Sequence, residues 1–230
     1  DNGKADVPAD LPGVTAVAAG CTHSLALKDD GTVVAWGAND SSQADVPAGL
    51  TGVTAIAAGY MYSLALRDDG TVVAWGADWA GQASVPEGLT GVVAVTAGHR
   101  QSLAVKDDGT VVAWGGQADV PEGLAGVTAV AAGPYDAWTV ALKADGTVAA
   151  WGADRPGHPG HPGVPGGLTG ATAISAGEDW GLALKEDGTV VAWGRDRYGR
   201  TDVPTDLAGV IAIAAGFYGV ALTQPDDAAG

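Results

Sequence analysis

The sequence predicts an all-β chain: short antiparallel sheets, one per repeat, set round an axis as the blades of a propeller. Three observations predict it. A segment of the form Val-Thr-Ala-Ile-Ala-Ala-Gly recurs six times, closing at Gly20, Gly59, Gly98, Gly133, Gly177 and Gly216. A second segment, Val-Val-Ala-Trp-Gly or a near variant, ends at Gly37, Gly76, Gly115, Gly152 and Gly194. Gly and β-branched residues interrupt every candidate helix, which disfavours a helical repeat. Four antiparallel strands in a period of about 40 residues are the pattern of a propeller blade.

One repeat shows how each element is reached. Strand A, Val53 to Ala58, is small and apolar throughout, so it lies innermost, where only short side chains fit near an axis. Strand B is Ser63 to Leu66 and strand C is Thr71 to Trp75. Between them stands Arg67-Asp68-Asp69-Gly70, and Asp-Gly between two apolar runs signals a hairpin because Gly accepts positive φ without steric cost. Strand D is short, Ala83 to Val85, and stops at Pro86. A proline fits an outer edge strand, where its missing N–H removes no ladder bond.

Counting the two landmarks gives a single domain over residues 1–230. Its repeat units run approximately over 13–51, 52–90, 91–125, 126–169, 170–208 and 209–230, the last closing with 1–12. Residues Asp1 to Pro8 match Asn39 to Pro47, the loop after strand C plus strand D. The chain ends after a sixth A and B strand. The expectation is therefore six blades of about four strands, the last shared by the two termini, with a Val-Val-Ala-Trp-Gly-like segment ahead of Asp1 or another segment in its place.

Composition narrows the function classes. There are 11 Lys plus Arg against 27 Asp plus Glu, a formal net charge of −16. Nucleic-acid binding needs clustered cations to replace phosphate counterions, so no nucleic-acid partner is expected. The single cysteine, Cys21, rules out a disulfide within the chain. No apolar run approaches the length of a membrane span, so no membrane partner is expected.

The runs Gly-Val-Thr-Ala-Ile-Ala-Ala-Gly, His-Ser-Leu-Ala-Leu-Lys and Asp-Asp-Gly-Thr-Val-Val-Ala-Trp-Gly resemble the RCC1 repeat. Cys21 to Leu27 followed by Trp36-Gly37 carries the resemblance most clearly. With short repeats and a Val-Pro plus Leu after each Trp-Gly (Val46-Pro47 and Leu50), the chain is most similar to RCC1-like propellers of the β-lactamase-inhibitory protein II type. The composition, rich in Ala, Gly and Asp, looks actinobacterial. The resemblance implies a secreted, non-catalytic inhibitor or binding protein with a folded protein target, such as a β-lactamase, and with no cofactor or metal.

Topology places the A–B and C–D loops on one face and the Asp-Asp-Gly hairpins on the other. Trp36, Trp75, Trp114, Trp151 and Trp193 occupy the Trp-Gly landmark and are expected to pack between blades. The other nine aromatic residues all fall in A–B or C–D loops. Exposed Trp and Tyr bury large areas at low entropic cost, which makes them anchors of binding surfaces. The expected binding face is Tyr60, Met61, Tyr62, Trp79, His99, Arg100, Tyr135, Asp136, Trp138, Asp179, Trp180, Tyr198, Phe217 and Tyr218. Gap-filling between blades competes with this role at the His23 position, which includes Tyr62. Asp40, Asp78, Asp154 and Asp196, with Arg155, Arg195 and Arg197, supply charge around it.

Catalytic signals are sparse. Cys21 and His23 stand two apart but lie in the structural His-Ser-Leu-Ala-Leu segment. His158 and His161 in a Pro-Gly loop are too few for a metal site on their own. The alternative function is small-molecule or carbohydrate binding, including a biosynthetic enzyme, through an Asp and aromatic pocket at the propeller mouth. It predicts a deep axial pocket holding an Asp with a perturbed pKa.

Overall fold

The computed structural model describes residues 3–116, 119–134, 138–152, 163–196, 198–216 and 218–224. Its regular elements are seventeen strands in six antiparallel sheets. The first sheet is β1 (Val14–Ala19), β2 (His23–Lys28) and β3 (Val33–Gly37). The second is β4 (Val53–Ala58), β5 (Tyr62–Arg67) and β6 (Val72–Gly76). The third is β7 (Val92–Ala97), β8 (Gln101–Lys106) and β9 (Val111–Gly115). The fourth is β10 (Val127–Ala132), β11 (Thr139–Lys143) and β12 (Val148–Trp151). The fifth is β13 (Ala171–Ala176), β14 (Trp180–Lys185) and β15 (Val190–Gly194). The sixth has only β16 (Val210–Ala215) and β17 (Gly219–Thr223).

Local chemistry explains each sheet. A register shift interrupts every first pairing, between Val14 and Ala16 in the first sheet and at the matching place in the others. There Thr15, Thr54, Thr128 and Thr172 donate their hydroxyls to a carbonyl of the neighbouring strand, Leu27 in the first case. The side chain thus satisfies an acceptor at the bulge. The hairpins close through Asp30 and its four counterparts. Asp30 Oδ1 accepts from the Thr32 amide at 3.0 Å and from the Thr32 hydroxyl, while Gly31 turns the chain at φ +74°.

The expected fourth strand is not a strand. Residues 83–85 form a turn-rich strap, because their donors are satisfied locally. Ala83 N–H donates to Asp78 Oδ1, Ser84 N–H to Gly81 O and Val85 N–H to Ala83 O, and Pro86 has no N–H. Each strap still covers the next sheet. Gln43 O accepts from Ser63 Oγ and Trp75 Nε1, both at 2.9 Å, and Gln82 O does the same for Ser102 and Trp114. Lys4 O accepts from Ser24 and Trp36, which makes the N-terminal segment the strap of the first sheet.

The first strands are innermost, as expected: Ala19, Ala58, Ala97, Ala132, Ala176 and Ala215 all line one axial cavity. Glycine is required where these strands end. A Cβ on Gly20 would stand 2.5 Å from Gly59 O, one on Gly59 2.7 Å from Gly98 O, and one on Gly133 2.5 Å from Gly177 O. Gly216 has nothing within 4 Å, so this succession of contacts stops at the sixth sheet. Val17 on the first sheet and Val220 on the sixth are accordingly 74% and 64% exposed. Their counterparts between interior sheets pack in apolar clusters: Ile56 of the second sheet lies with Leu25, Leu27 and Val33 of the first.

Candidate functional site: the loop face

The two loop sets share a face because backbone bonds tie them together. Ala38 N–H donates to Thr22 O, Ala77 to Met61 O, Gly116 to Arg100 O and Arg195 to Asp179 O, at 2.7–3.0 Å. Neighbouring sheets are joined on this face as well, through Cys21 N–H to Gly59 O and Tyr60 N–H to Gly98 O, both 3.3 Å. The loops therefore sit on fixed backbone rather than on free-standing segments.

Several predicted contact residues are on this face. The Tyr60 and His99 rings meet edge to face, with centroids 4.3 Å apart. Trp79 is 56% exposed, Tyr198 is 88% exposed and Arg100 is exposed. Met61 is half-buried. Tyr135, Asp136 and Phe217 lie outside the described residues, as do His158, His161, Asp154, Arg155 and Arg197.

Four predicted face residues are elsewhere. Tyr62, Trp138 and Trp180 are buried between sheets. They occupy the position of His23 and Gln101, where each side chain crosses into the following sheet as a peg. His23 Nε2 meets Ser63 Oγ at 2.9 Å. Tyr62 OH donates to Gln101 O at 2.6 Å and accepts from Ser102 Oγ at 3.1 Å. Gln101 Nε2 donates to Thr139 Oγ1 at 3.3 Å. The Trp180 ring lies 3.1 Å from where a Cβ on Gly219 would be. Peg and hole match in size: His23, Tyr62 and Gln101 face Ser or Thr, whereas Trp180 faces Gly. Tyr218 holds the same position in the sixth sheet and is 71% exposed, with no described sheet packed over it. It belongs to the seam, not to the loop face.

The buried pegs carry distinctive protonation. Ser63 Oγ donates to Gln43 O, so it accepts the proton of His23 Nε2–H. His23 Nδ1 is buried with no hydrogen-bond partner among the described residues. A second proton would therefore be held in a dry site, and burial lowers the His23 pKa to about 4. Cys21 is exposed while His23 is buried and turned to Ser63, so they do not form a nucleophile and base. Among the described residues no three His, Cys, Asp or Glu side chains group as a metal site.

Two of the aspartates after Trp-Gly, Asp78 and Asp196, organise loops, while Asp40 is exposed. Asp78 accepts from Ala83 N–H and from Ser84 Oγ at 2.6 Å, and Asp196 accepts from Thr201 N–H. Asp179 belongs to a charged cluster with Glu178, Arg195 and the buried Arg200. Arg200 was not among the residues the sequence singled out. It stands six residues after Trp-Gly, where Gln43 and Gln82 stand in the first two repeats, and that alignment would have found it. Its guanidinium also lies 5.8 Å from the Tyr198 ring centroid.

The axial cavity opens on this face, measures about 300 Å³, and is lined by Lys4, Cys21, Tyr60 and Pro134 besides Gly and Ala. Among the described residues no carboxylate lines it. The aspartates with lowered pKa values, Asp30 among them, are in the hairpins of the opposite face.

Repeated sheets round an axis, with pegs between them and a loop face above, define a propeller-type repeat protein. Residues 14–43, 53–82 and 171–200 match the regulator of chromosome condensation (RCC1) repeat. Solved structures agree on the fold. Human WBSCR16 superposes with a TM-score of 0.66 at 20% identity, over 93% of this chain and 67% of that one. Prp20p from Saccharomyces cerevisiae gives 0.68 at 18% identity, over 93% and 70%. The ectodomain of the Physcomitrella patens receptor kinase CR4 gives 0.59 at 25% identity, over 89% and 57%. No curated protein matches the chain.

Proposed function

We propose that this propeller is a secreted, non-catalytic protein-binding scaffold, and that its loop face recognises a folded enzyme of the β-lactamase class. The supporting observation is the Tyr60–His99 contact with Trp79 and Arg100 on loops already held by backbone bonds. Aromatic and Arg anchors on a rigid frame bind without a large ordering cost. The structural neighbour Prp20p is described with binding properties toward Gsp1p and histones, so a propeller of this fold serves protein recognition there. The β-lactamase target rests on the sequence resemblance. Small-molecule acid–base chemistry is the weaker reading, because no carboxylate lines the axial cavity among the described residues.

The test is inhibition of a panel of class A β-lactamases by the intact chain and by Trp79→Ala, Tyr60→Ala and Arg100→Ala. Inhibition on the order of nanomolar is expected, with at least one alanine weakening it roughly tenfold or more and thermal unfolding unchanged. No inhibition across the panel would remove the target. Inhibition insensitive to all three alanines would remove the face.

A further inference from the structure

Besides covering the next sheet, each strap sends a side chain back to the loop face. Gln43 returns to the loop between β1 and β2. Its Oε1 accepts from Ser41 N–H at 2.8 Å and its Nε2 donates to Thr22 Oγ1 at 3.3 Å. The Thr22 backbone is fixed in turn, since its carbonyl accepts from Ala38 N–H at 3.0 Å. The fifth repeat makes the same contact with charge. Arg200 stands where Gln43 stands and pairs at 3.7 Å with Asp179, the counterpart of Thr22. In the second repeat the two positions hold Gln82 and Met61. Gln82 is fully buried, its Oε1 accepts from Ala80 N–H at 2.8 Å, and Met61 O accepts from Ala77 N–H at 2.9 Å. The backbone and the amide thus repeat the first arrangement. The Ala80 bond also fixes which end of the Gln82 amide is oxygen, so Nε2 holds the place from which Gln43 Nε2 reaches Thr22. A thioether is only a weak acceptor, and Gln82 Nε2 has no hydrogen-bond partner among the described residues. A buried donor left in this way is costly.

We propose that Met61 is a site of reversible sulfoxidation, and that the sulfoxide oxygen takes the acceptor place that Thr22 Oγ1 fills in the first repeat. The oxidant is a small hydroperoxide such as hydrogen peroxide. The sulfur lone pair attacks one peroxide oxygen, and the O–O bond breaks as the S–O bond forms. The proton left on that oxygen passes to the departing hydroxide, giving water. The thioether loses two electrons and the peroxide gains them. Met61 is the single methionine of the chain and is half-buried on the loop face, so a small oxidant can reach its sulfur. Sulfoxidation ordinarily disrupts packing, because it turns an apolar side chain polar. Here the new S–O dipole meets an N–H that is otherwise unpaired, so the oxidised chain makes a bond that the reduced chain lacks. Methionine sulfoxide reductases return the thioether, which makes the change reversible. It takes place in the free protein, whatever the face binds.

The experiment treats the full chain with hydrogen peroxide, in a Cys21→Ser background that removes the other sulfur, and follows Met61 by peptide mass mapping. Met61 is expected to gain one oxygen at a rate within roughly tenfold of free methionine, and to lose it again with a methionine sulfoxide reductase. The oxidised chain is expected to unfold at or above the temperature of the reduced chain. Gln82→Glu keeps an acceptor for Ala80 N–H and loses the donor, so oxidation of that variant should lower its unfolding temperature by about 2–4 °C relative to its own reduced form. Side-chain amide NMR of Gln82 supplies a readout that needs no variant of that residue. Its resonances should move on oxidation, and Met61→Thr without peroxide should move them in the same direction. Oxidation more than about a hundredfold slower than that of free methionine would overturn the site. An equal fall in unfolding temperature with and without Gln82→Glu, or Gln82 amide resonances unmoved by oxidation, would overturn the role given to the sulfoxide oxygen.

Discussion

Acidifying the protein from pH 7.5 to 4.5 should weaken it through His23. The imidazole is buried, its Nε2–H is committed to Ser63 and its Nδ1 has no described partner. Its pKa falls from 6.5 to about 4 on folding. A lowered folded pKa means that the stability is fully present above 6.5. Below that the unfolded chain takes up a proton that the folded chain refuses, and the loss grows until pH approaches 4. At about 1.4 kcal/mol per pH unit, two units in this window cost roughly 2–3 kcal/mol. Urea unfolding followed by far-UV circular dichroism at pH 7.5, 6 and 4.5 measures it. His23→Gln, which installs the residue found at the equivalent position 101, should remove most of the decline while keeping a donor for Ser63. A decline of the same size in His23→Gln, or an NMR titration of His23 near 6.5, would refute the reasoning.

Other outcomes follow from the same contacts. Tyr62→Phe removes the 2.6 Å bond to Gln101 O and leaves a buried acceptor, which should lower unfolding stability by about 1–2 kcal/mol in urea titrations. Gly219→Ala places a methyl 3.1 Å from the Trp180 ring and should destabilise by about 1–3 kcal/mol, whereas Gly49→Ala, with nothing within 4 Å but φ +78°, should show only the smaller backbone cost of about 1 kcal/mol. The hairpin aspartates act in a different window from His23. Asp30 and Asp108 are held at about 2, first by the hydroxyls and then by the amides of Thr32 and Thr110. What they contribute is present above their ordinary pKa near 3.8 and is lost as pH falls toward 2. Thr32→Val should raise the Asp30 pKa toward the ordinary value in a carboxyl NMR titration, while that of Asp108 stays put.

The repeat made much of this architecture readable in advance. Alternating small and β-branched residues, Asp-Asp-Gly turns and the Trp-Gly landmark carry their geometry locally, so sheet order, the innermost strand and the division into two faces all follow from one period. In the sequence the strap reads as a strand because Val-Pro at its end looks like an edge. Its actual conformation depends on Asp78 and Gly81 taking its amides, which hydrophobic periodicity does not register. The site was half legible for a related reason. Tyr62, Trp138 and Trp180 lie within a few residues of exposed loop positions, and only contact with the next sheet decides that they point inward. The smaller residues that receive them, Ser102 for Tyr62 and Gly219 for Trp180, stand one repeat away, so the pairing appears only when repeats are aligned against their successors. Arg200 carries no local signal because its partners, Glu178 and Asp179, come from a different loop, and only the alignment with Gln43 and Gln82 marks it.

The halt of glycine contacts at Gly216 also bears on how the molecule comes apart. Among the described residues the glycine contacts pass from sheet to sheet and do not continue at Gly216, and an array gripped in this way loses structure first where its contacts are fewest. Limited proteolysis should release fragments from the C-terminal pair of strands first, in step with the bare Val220 and Leu222 side chains. The middle sheets, clamped on both flanks, should persist as a resistant remnant. A join across the ends would turn that gradual erosion into a single all-or-none event.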